Sequence, residues 1–198
     1  MFEPETNDPF VQFNKWFTEA EAAEPNDANA MAVATADSDG RPSTRIVLLK
    51  GLDDRGFVFY TNYESRKGLE LAINPFAALC FHWKTLGRQV RVEGPVTTVT
   101  DSESDDYFAR RPRLSQTGAW ASQQSRPLTS RKVLLDAVAK FETEYSGRNI
   151  PRPSYWKGTR VVPLQIEFWQ SGEYRLHDRF LFARSAEGQD WTVNRLNP

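Results

Sequence analysis

Three tight turns, at 37–40 (Asp-Ser-Asp-Gly), 53–56 (Asp-Asp-Arg-Gly) and 171–172 (Ser-Gly), punctuate runs rich in β-branched and aromatic residues. That punctuation limits the fold more than any other feature of the chain. Glycine accepts positive φ at no steric cost, so such turns suit a chain that reverses on itself. The flanking residues suit a pleated, half-buried surface. Strands are predicted over 30–36, 43–50, 57–61, 77–83, 89–99, about 161–170 and 173–182. Many short strands joined by tight turns call for an antiparallel barrel rather than alternating βαβ units.

Helices interrupt this pattern. Asp8-Pro9 provides an N-cap and a first-turn proline, and Phe10, Phe13 and Phe17 follow at helical spacing as core residues. A second helix starts near Ser65 and ends before Asn74-Pro75. A third starts at Thr100, with Glu103 completing a capping box, and runs to about Arg111 before Pro112. The polar stretches that follow, including 122–127, read as loops. A last helix covers roughly 129–146, stopped by Gly147; its Leu134, Leu135, Val138 and Phe141 form an apolar stripe for core or subunit contact. The fold class is therefore mainly β with peripheral helices (α+β), and 198 residues suit a single domain over 1–198.

Composition excludes several function classes. Lys+Arg number 25 against 26 Asp+Glu, a net charge of −1, so there is no broad footprint for nucleic acid and any anion site must be local. No apolar run reaches membrane-spanning length, and the acidic start at Met1 lacks the features of a signal peptide. The lone Cys80 lies in an apolar run, reads as a small buried hydrophobe, and fits a cytoplasmic protein. His82 and His177 are the only histidines and have no metal-ligand partner at useful spacing, so no metal site is expected. The chain has no G-x-G-x-x-G, no G-x-x-x-x-G-K-[ST] and no G-x-S-x-G, which leaves dinucleotide, P-loop and α/β-hydrolase readings unsupported.

Three clusters of cations carry the functional signal. On a strand over 173–182, period-two alternation places Arg175, His177 and Arg179 on one face and Leu176, Asp178 and Phe180 on the other. That face is either solvated or, with Trp169 and Phe168 across the hairpin, part of a pocket for a phosphorylated, planar ligand. Arg45 and Lys50 flank the apolar run 46–49, and alternation puts them on opposite faces. Arg66 and Lys67 occupy the first turn of a helix, where the dipole favours acids. They are either two exposed bases or donors that receive a phosphate together with the free backbone N–H groups.

The run Glu167-x-Trp169-Gln170, a four-residue spacer, then Arg175-Leu176-His177-Asp178-Arg179 resembles the C-terminal signature of the pyridoxamine 5′-phosphate oxidase family. The likeness extends from Asp8-Pro9 through the segments at 45–50, 65–68, 88–94 and 116–122 to Arg195–Pro198. It implies a split β-barrel that binds flavin mononucleotide (FMN), and a homodimer with FMN at the subunit interface. The hairpin at about 161–198 would serve dimerisation and substrate binding.

By this resemblance the FMN contacts are Arg45, Ile46, Val47, Leu48, Leu49, Lys50, Tyr60, Thr61, Arg66, Lys67, Gln89, Gln124, Ser125, Trp169 and Arg179. Lys50, Tyr107, Arg111 and Ser115 match the site of the substrate phosphate. Arg175, Leu176 and His177 would line the substrate ring, with Arg175 and His177 catalytic. The implied reaction oxidises pyridoxamine or pyridoxine 5′-phosphate to pyridoxal 5′-phosphate, with O2 reduced to H2O2.

Two features depart from the family pattern. Lys157 follows Ser154-Tyr155-Trp156 where relatives usually carry glycine, and the basic segment that in some relatives precedes Asp-Pro and covers the substrate is missing. A phenazine-pathway flavin oxidase on the same fold and a non-catalytic flavin or pyridoxal-phosphate carrier are the rival readings. Retention of Lys50, Tyr107, Arg111, Ser115 and the Arg175–His177 triplet speaks against the first, and retention of Arg175 and His177 against the second.

Overall fold

The computed structural model describes residues 1–198. In chain order the elements are α1 (Pro9–Ala23), β1 (Ala30–Ala36), β2 (Pro42–Leu48), β3 (Gly51–Asp53), β4 (Gly56–Asn62), α2 (Arg66–Ile73), β5 (Phe76–Trp83) and β6 (Arg88–Thr98). There follow α3 (Asp101–Arg110), α4 (Arg113–Ala121), α5 (Arg131–Glu144), β7 (Trp156–Val161), β8 (Gln165–Gln170), a 3₁₀ turn (Glu173–Arg175), β9 (Asp178–Ala183) and β10 (Thr192–Leu196). All pairings are antiparallel, along the path β10-β9-β8-β6-β5-β1-β2, with β7, β4 and β3 attached through β6.

Strand β6 splits the barrel. Residues 88–93 pair with both β5 and β8, whereas Val96–Thr98 pair with β7. The switch falls at Gly94-Pro95, where a Cβ on Gly94 would lie 2.0 Å from the Val162 carbonyl oxygen. Only glycine lets the two backbones approach so closely.

Helix α1 closes the barrel core. Its N-cap Asp8 accepts from the N–H groups of Phe10 (2.8 Å) and Val11 (3.3 Å). Phe13, Trp16 and Ala20, at i, i+3 and i+7, are buried against the sheet, while Phe10 and Phe17 pack half-buried at the rim. The Phe13 ring stands edge-on to Phe57 (4.9 Å) and Phe81 (5.1 Å), and Trp16 edge-on to Phe168 (5.3 Å). Aromatic pairs prefer such geometry, and each fully buried ring contributes roughly 2–3 kcal/mol.

The sequence-based elements need five corrections. The strand expected over about 161–170 is β8 alone, from Gln165; Val161 ends a separate strand, β7, and Pro163 lies in the connection between them. The strand expected over 43–50 ends at Leu48, after which Leu49 N–H bonds Asn29 O (2.8 Å) and Lys50 N–H bonds Val58 O (2.8 Å). The chain thereby passes from the β1 side of the sheet to β4.

The strand expected from 173 begins only at Asp178, because Tyr174 (φ 54°) and Arg175 (φ 66°) are left-handed and cannot continue a ladder. The alternation predicted for Arg175, His177 and Arg179 therefore does not exist. Helix α4 was unexpected; it starts after Pro112 with no side-chain cap, so the usual sequence signal for a helix start is missing. Finally, no residue of α5 is buried, and Val133 and Leu135 are half exposed, so its apolar stripe is not part of the core.

Candidate active site

The sheet and helices converge on a cavity of about 450 Å³. Strand β2 supplies Arg45, Ile46, Val47 and Leu48; the crossing segment supplies Lys50; β4 supplies Tyr60, Thr61 and Asn62. Lys67 comes from α2, Tyr107 and Arg111 from α3 and its C-cap, Trp156 from β7, and Gln124 from the loop after α4. Arg45 and Lys50 line the same space, contrary to the opposite faces that alternation assigned them. The chain leaves the β2 ladder at Leu48, so the period-two count no longer applies at Lys50.

Four cations line this cavity and no carboxylate does. Lys67 is 6% exposed and its Nζ reaches only the Ser65 hydroxyl (3.3 Å). Burial, then the nearby Arg45 charge, push its pKa below the ordinary lysine value. Burial likewise lowers the pKa of Arg111, whose Nη1 is buried without a hydrogen-bond partner. The Arg111 guanidinium lies over the Trp156 ring at 4.7 Å. Lys67 and Arg111, desolvated without an acid partner, are costly unless an anion joins them.

One wall is aromatic. Tyr60 and Tyr107 stack at 4.0 Å, Tyr60 and Trp156 at 5.1 Å, with planes within 10°. Burial raises the pKa of both tyrosines, which keeps the phenols protonated as donors. A neighbouring cavity of about 320 Å³ shares Asn62, Arg111, Gln124 and Trp156 and adds Ser115, Gly118, Ala119 and Ser122. Gln116 holds the joint between the helices by donating to Ala109 O (3.1 Å) and Arg111 O (2.8 Å). That clip sets where Arg111 and Ser115 stand.

Other expected residues lie elsewhere. Arg66 points away from Lys67; its Nε donates to Glu70 (2.8 Å), and it borders a third cavity with Gln124 and the left-handed Ser125 (φ 70°). Leu49 is buried in the barrel core. Gln89 sits on β6 between His82 and Trp169. Trp169 pairs with Arg179 across β8 and β9, and Arg179 donates to Glu167 (2.8 Å) and Asn197 O (2.9 Å).

Arg175 and Leu176 are exposed. The His177 ring lies 4.5 Å from Trp169, and its Nδ1 accepts from Gly172 N–H (3.1 Å). None of Gln89, Trp169, Arg175, Leu176, His177 and Arg179 lines the cation cavity of its own chain.

Sequence reasoning missed Asn62 and Trp156 as lining residues. Trp156 could have been suspected from the aromatic pair Tyr155-Trp156 entering a strand. Lys157 pairs with Thr61 in β7 without positive φ, so glycine is not required there.

These residues fit FMN. Lys67, buried without an acid partner, and Arg45 supply donors for the cofactor phosphate, and the 46–48 segment supplies an apolar floor; the unpartnered Arg111 Nη1 is left for a second anion. Gln124 adds an amide at the rim. A split barrel bearing such a cavity defines a flavoprotein of the FMN-binding class.

Residues 17–145 match the family described as pyridoxamine 5′-phosphate oxidase, and residues 156–198 match the pyridoxine 5′-phosphate oxidase C-terminal dimerisation region. The chain is 59% identical to the pyridoxine/pyridoxamine 5′-phosphate oxidase of Azorhizobium caulinodans, over 97% of this chain and 91% of that one. It is 57% identical to the enzyme of the same name from Brucella anthropi, over 98% and 96%. Among solved structures it is similar to PhzG of Burkholderia lata in complex with tetrahydrophenazine-1-carboxylic acid (TM-score 0.92, 32% identity, covering 100% and 98%). It shares its fold with a pyridoxamine 5′-phosphate oxidase-related, FMN-binding protein of Nostoc punctiforme (TM-score 0.76, 17% identity, covering 96% and 98%).

The chain belongs to the pyridoxamine 5′-phosphate oxidase family. It is an oxidoreductase with FMN as cofactor, and it carries the family's dimerisation region, so its functional form is a homodimer. No helix is long and apolar enough to cross a membrane.

Proposed function

We propose that this protein oxidises pyridoxamine 5′-phosphate and pyridoxine 5′-phosphate to pyridoxal 5′-phosphate. The alcohol and O2 give the aldehyde and H2O2; the amine, O2 and water give the aldehyde, H2O2 and ammonia. The observation that carries this reading is the cavity with four cations and no acid, in a chain so similar to enzymes of that name. Two phosphate groups, one from cofactor and one from substrate, supply the negative charge that Lys50, Lys67 and Arg111 lack and add to the single acid, Glu70, behind Arg45.

When bound, FMN accepts a hydride from the substrate's C4′ carbon and passes the electrons to O2. The protein binds and orients. Arg45, Tyr60, Thr61, Arg66, Lys67, Gln89, Gln124, Ser125, Trp169, Arg179 and the 46–49 segment hold the cofactor in this reading. Lys50, Tyr107, Arg111 and Ser115 grip the substrate phosphate, a remote handle that aligns the reacting carbon.

Arg175, Leu176 and His177 contact the substrate ring, with Arg175 and His177 as the catalytic pair. Because they do not line the cavity of their own chain, the second subunit would deliver them, and FMN would sit at the subunit interface. The fold similarity to PhzG favours one second reading, a tricyclic phenazine-type substrate.

The test is anaerobic mixing of FMN-loaded protein with pyridoxine 5′-phosphate, following flavin absorption. Rapid bleaching, reversed by air as pyridoxal 5′-phosphate appears, is the expected result. A flavin that stays oxidised with this substrate but bleaches with a dihydro- or tetrahydrophenazine carboxylate would overturn the proposal in favour of the second reading.

A further inference from the structure

One buried acid stands just behind the cation cavity. Glu70, on α2, is 5% exposed, and both of its carboxylate oxygens are engaged. Oε2 accepts from the Ser43 hydroxyl (2.6 Å) and the Thr35 hydroxyl and lies 3.4 Å from Arg45 Nη2. Oε1 accepts from Arg66 Nε (2.8 Å). The same two hydroxyls also touch Arg45, whose Nη1 donates to Thr35 Oγ1 (2.6 Å) and Val33 O (3.3 Å) and whose Nη2 donates to Ser43 Oγ. Arg45, Glu70, Thr35 and Ser43 thus form a closed cradle linking β1, β2 and α2.

Glu70 is the only acidic partner of Arg45, and outside the cradle the guanidinium bonds only Val33 O (3.3 Å). A long guanidinium side chain loses much rotamer freedom when it is held, so an unheld Arg45 would bind the cofactor only after that cost. Glu70 does not line the cation cavity; it borders the adjacent cavity with Arg66, Gln124 and Ser125, where both of its oxygens are already taken up by protein donors. Its charge would, if anything, repel a nearby phosphate. The geometry points to Glu70 as a positioning residue that presets Arg45 for flavin binding. This rests on the assignment of Arg45 to the FMN site made above. Burial works against ionisation of Glu70, yet hydrogen bonds from Ser43, Thr35 and Arg66 and the Arg66 charge hold its pKa at about 2, so the cradle is charged at any ordinary pH.

The experiment is a double-mutant cycle on apoprotein, with the FMN dissociation constant read by quenching of flavin fluorescence. Glu70→Gln should weaken FMN about tenfold in the parent chain, since charge-assisted bonds within a cradle act together. In an Arg45→Ala background the same change should cost clearly less, because Arg66, bonded to Oε1 (2.8 Å), is the only guanidinium left for Glu70 to hold. If Glu70→Gln fails to fold, Thr35→Val, which removes the hydroxyl shared by Arg45 and Glu70, takes its place in the cycle.

An unchanged FMN affinity in the folded variant, or an equal loss in both backgrounds, overturns the positioning role. Parent-like affinity in Arg45→Ala alone, with FMN bound normally by the parent, removes Arg45 from the site and this inference with it. Failure of the parent chain to bind FMN would sink the cofactor site itself.

Discussion

The guanidinium of Arg111 lies 4.7 Å over the ring of Trp156 while its Nη1 is buried without a hydrogen-bond partner. The cation–π contact partly compensates the charge, but the open donor is a standing cost that a bound phosphate would relieve.

Arg111→Met should therefore separate stability from binding. Removing a poorly compensated buried cation leaves the melting temperature of ligand-free protein unchanged or raises stability by about 1 kcal/mol. KM for the phosphorylated substrate should rise at least 30-fold, about 2 kcal/mol, for the lost charged hydrogen bonds. Thermal melts and steady-state kinetics check the two arms.

Lys67 makes FMN affinity depend on alkaline pH. Its pKa in the ligand-free protein lies below the ordinary 10.5, through burial and then the neighbouring Arg45 charge. A phosphate beside it favours the charged form, so binding takes up a proton once pH exceeds that lowered value. FMN affinity should hold while Lys67 is protonated and fall as pH climbs through its depressed pKa. Lys67→Met should bind more weakly at neutral pH and lose that limb of the profile, as titrations across pH will show.

Glu70 governs an acid limb of stability. Its folded pKa, about 2, is below the reference 4.5. A depressed carboxylate contributes its stability above 4.5 and loses it as pH falls from there towards 2. The drop from 4.5 to about 2 corresponds to about 3 kcal/mol. Urea melts at pH 7 and pH 3 should show a smaller pH difference for Glu70→Gln than for the parent.

Gly172 holds the connection between β8 and β9 closed. A Cβ there would stand 2.0 Å from the Leu176 carbonyl oxygen, and its own N–H orients His177 through Nδ1. Gly172→Ala should displace Arg175 and His177, lowering kcat about a hundredfold, since small misplacements are costly in catalysis. FMN content, read from visible absorption, should be retained.

Arg175→Ala tests the role assigned to that side chain. Turnover should drop at least a hundredfold, in line with loss of one charge-stabilising donor, while FMN stays bound. Full activity with bound flavin would remove Arg175 from the chemistry.

Much of this arrangement was legible in the chain because it is local. The Asp8 cap, the Thr100–Glu103 capping box and the glycine turns at 37–40 and 53–56 depend on residues a few positions apart, and all are found. The first-turn pair Arg66-Lys67 was visible as an anomaly, but its two halves proved to differ. Arg66 pairs with Glu70 and faces outward, and Lys67 turns into the cavity.

Glu70 itself gave no signal, since an acid in a helix is ordinary until Thr35 and Ser43 are folded against it. The 173–177 segment was misread because strand periodicity carries no trace of two successive left-handed residues. Helix α4 was missed because Pro112 begins it without a cap.

Sequence alone determined the barrel class and the capped helix starts, because propensities, caps and turns act over single turns of chain. Only the tertiary structure decided that Arg45, Lys50, Lys67 and Arg111 share one acid-free cavity. It also decided that Arg175–His177 stand outside the cavity of their own chain. The break in β2 at Leu48, the strand switch at Gly94 and the left-handed turn at 174–175 each reset the direction of the side chains that follow, and no local count carries across them.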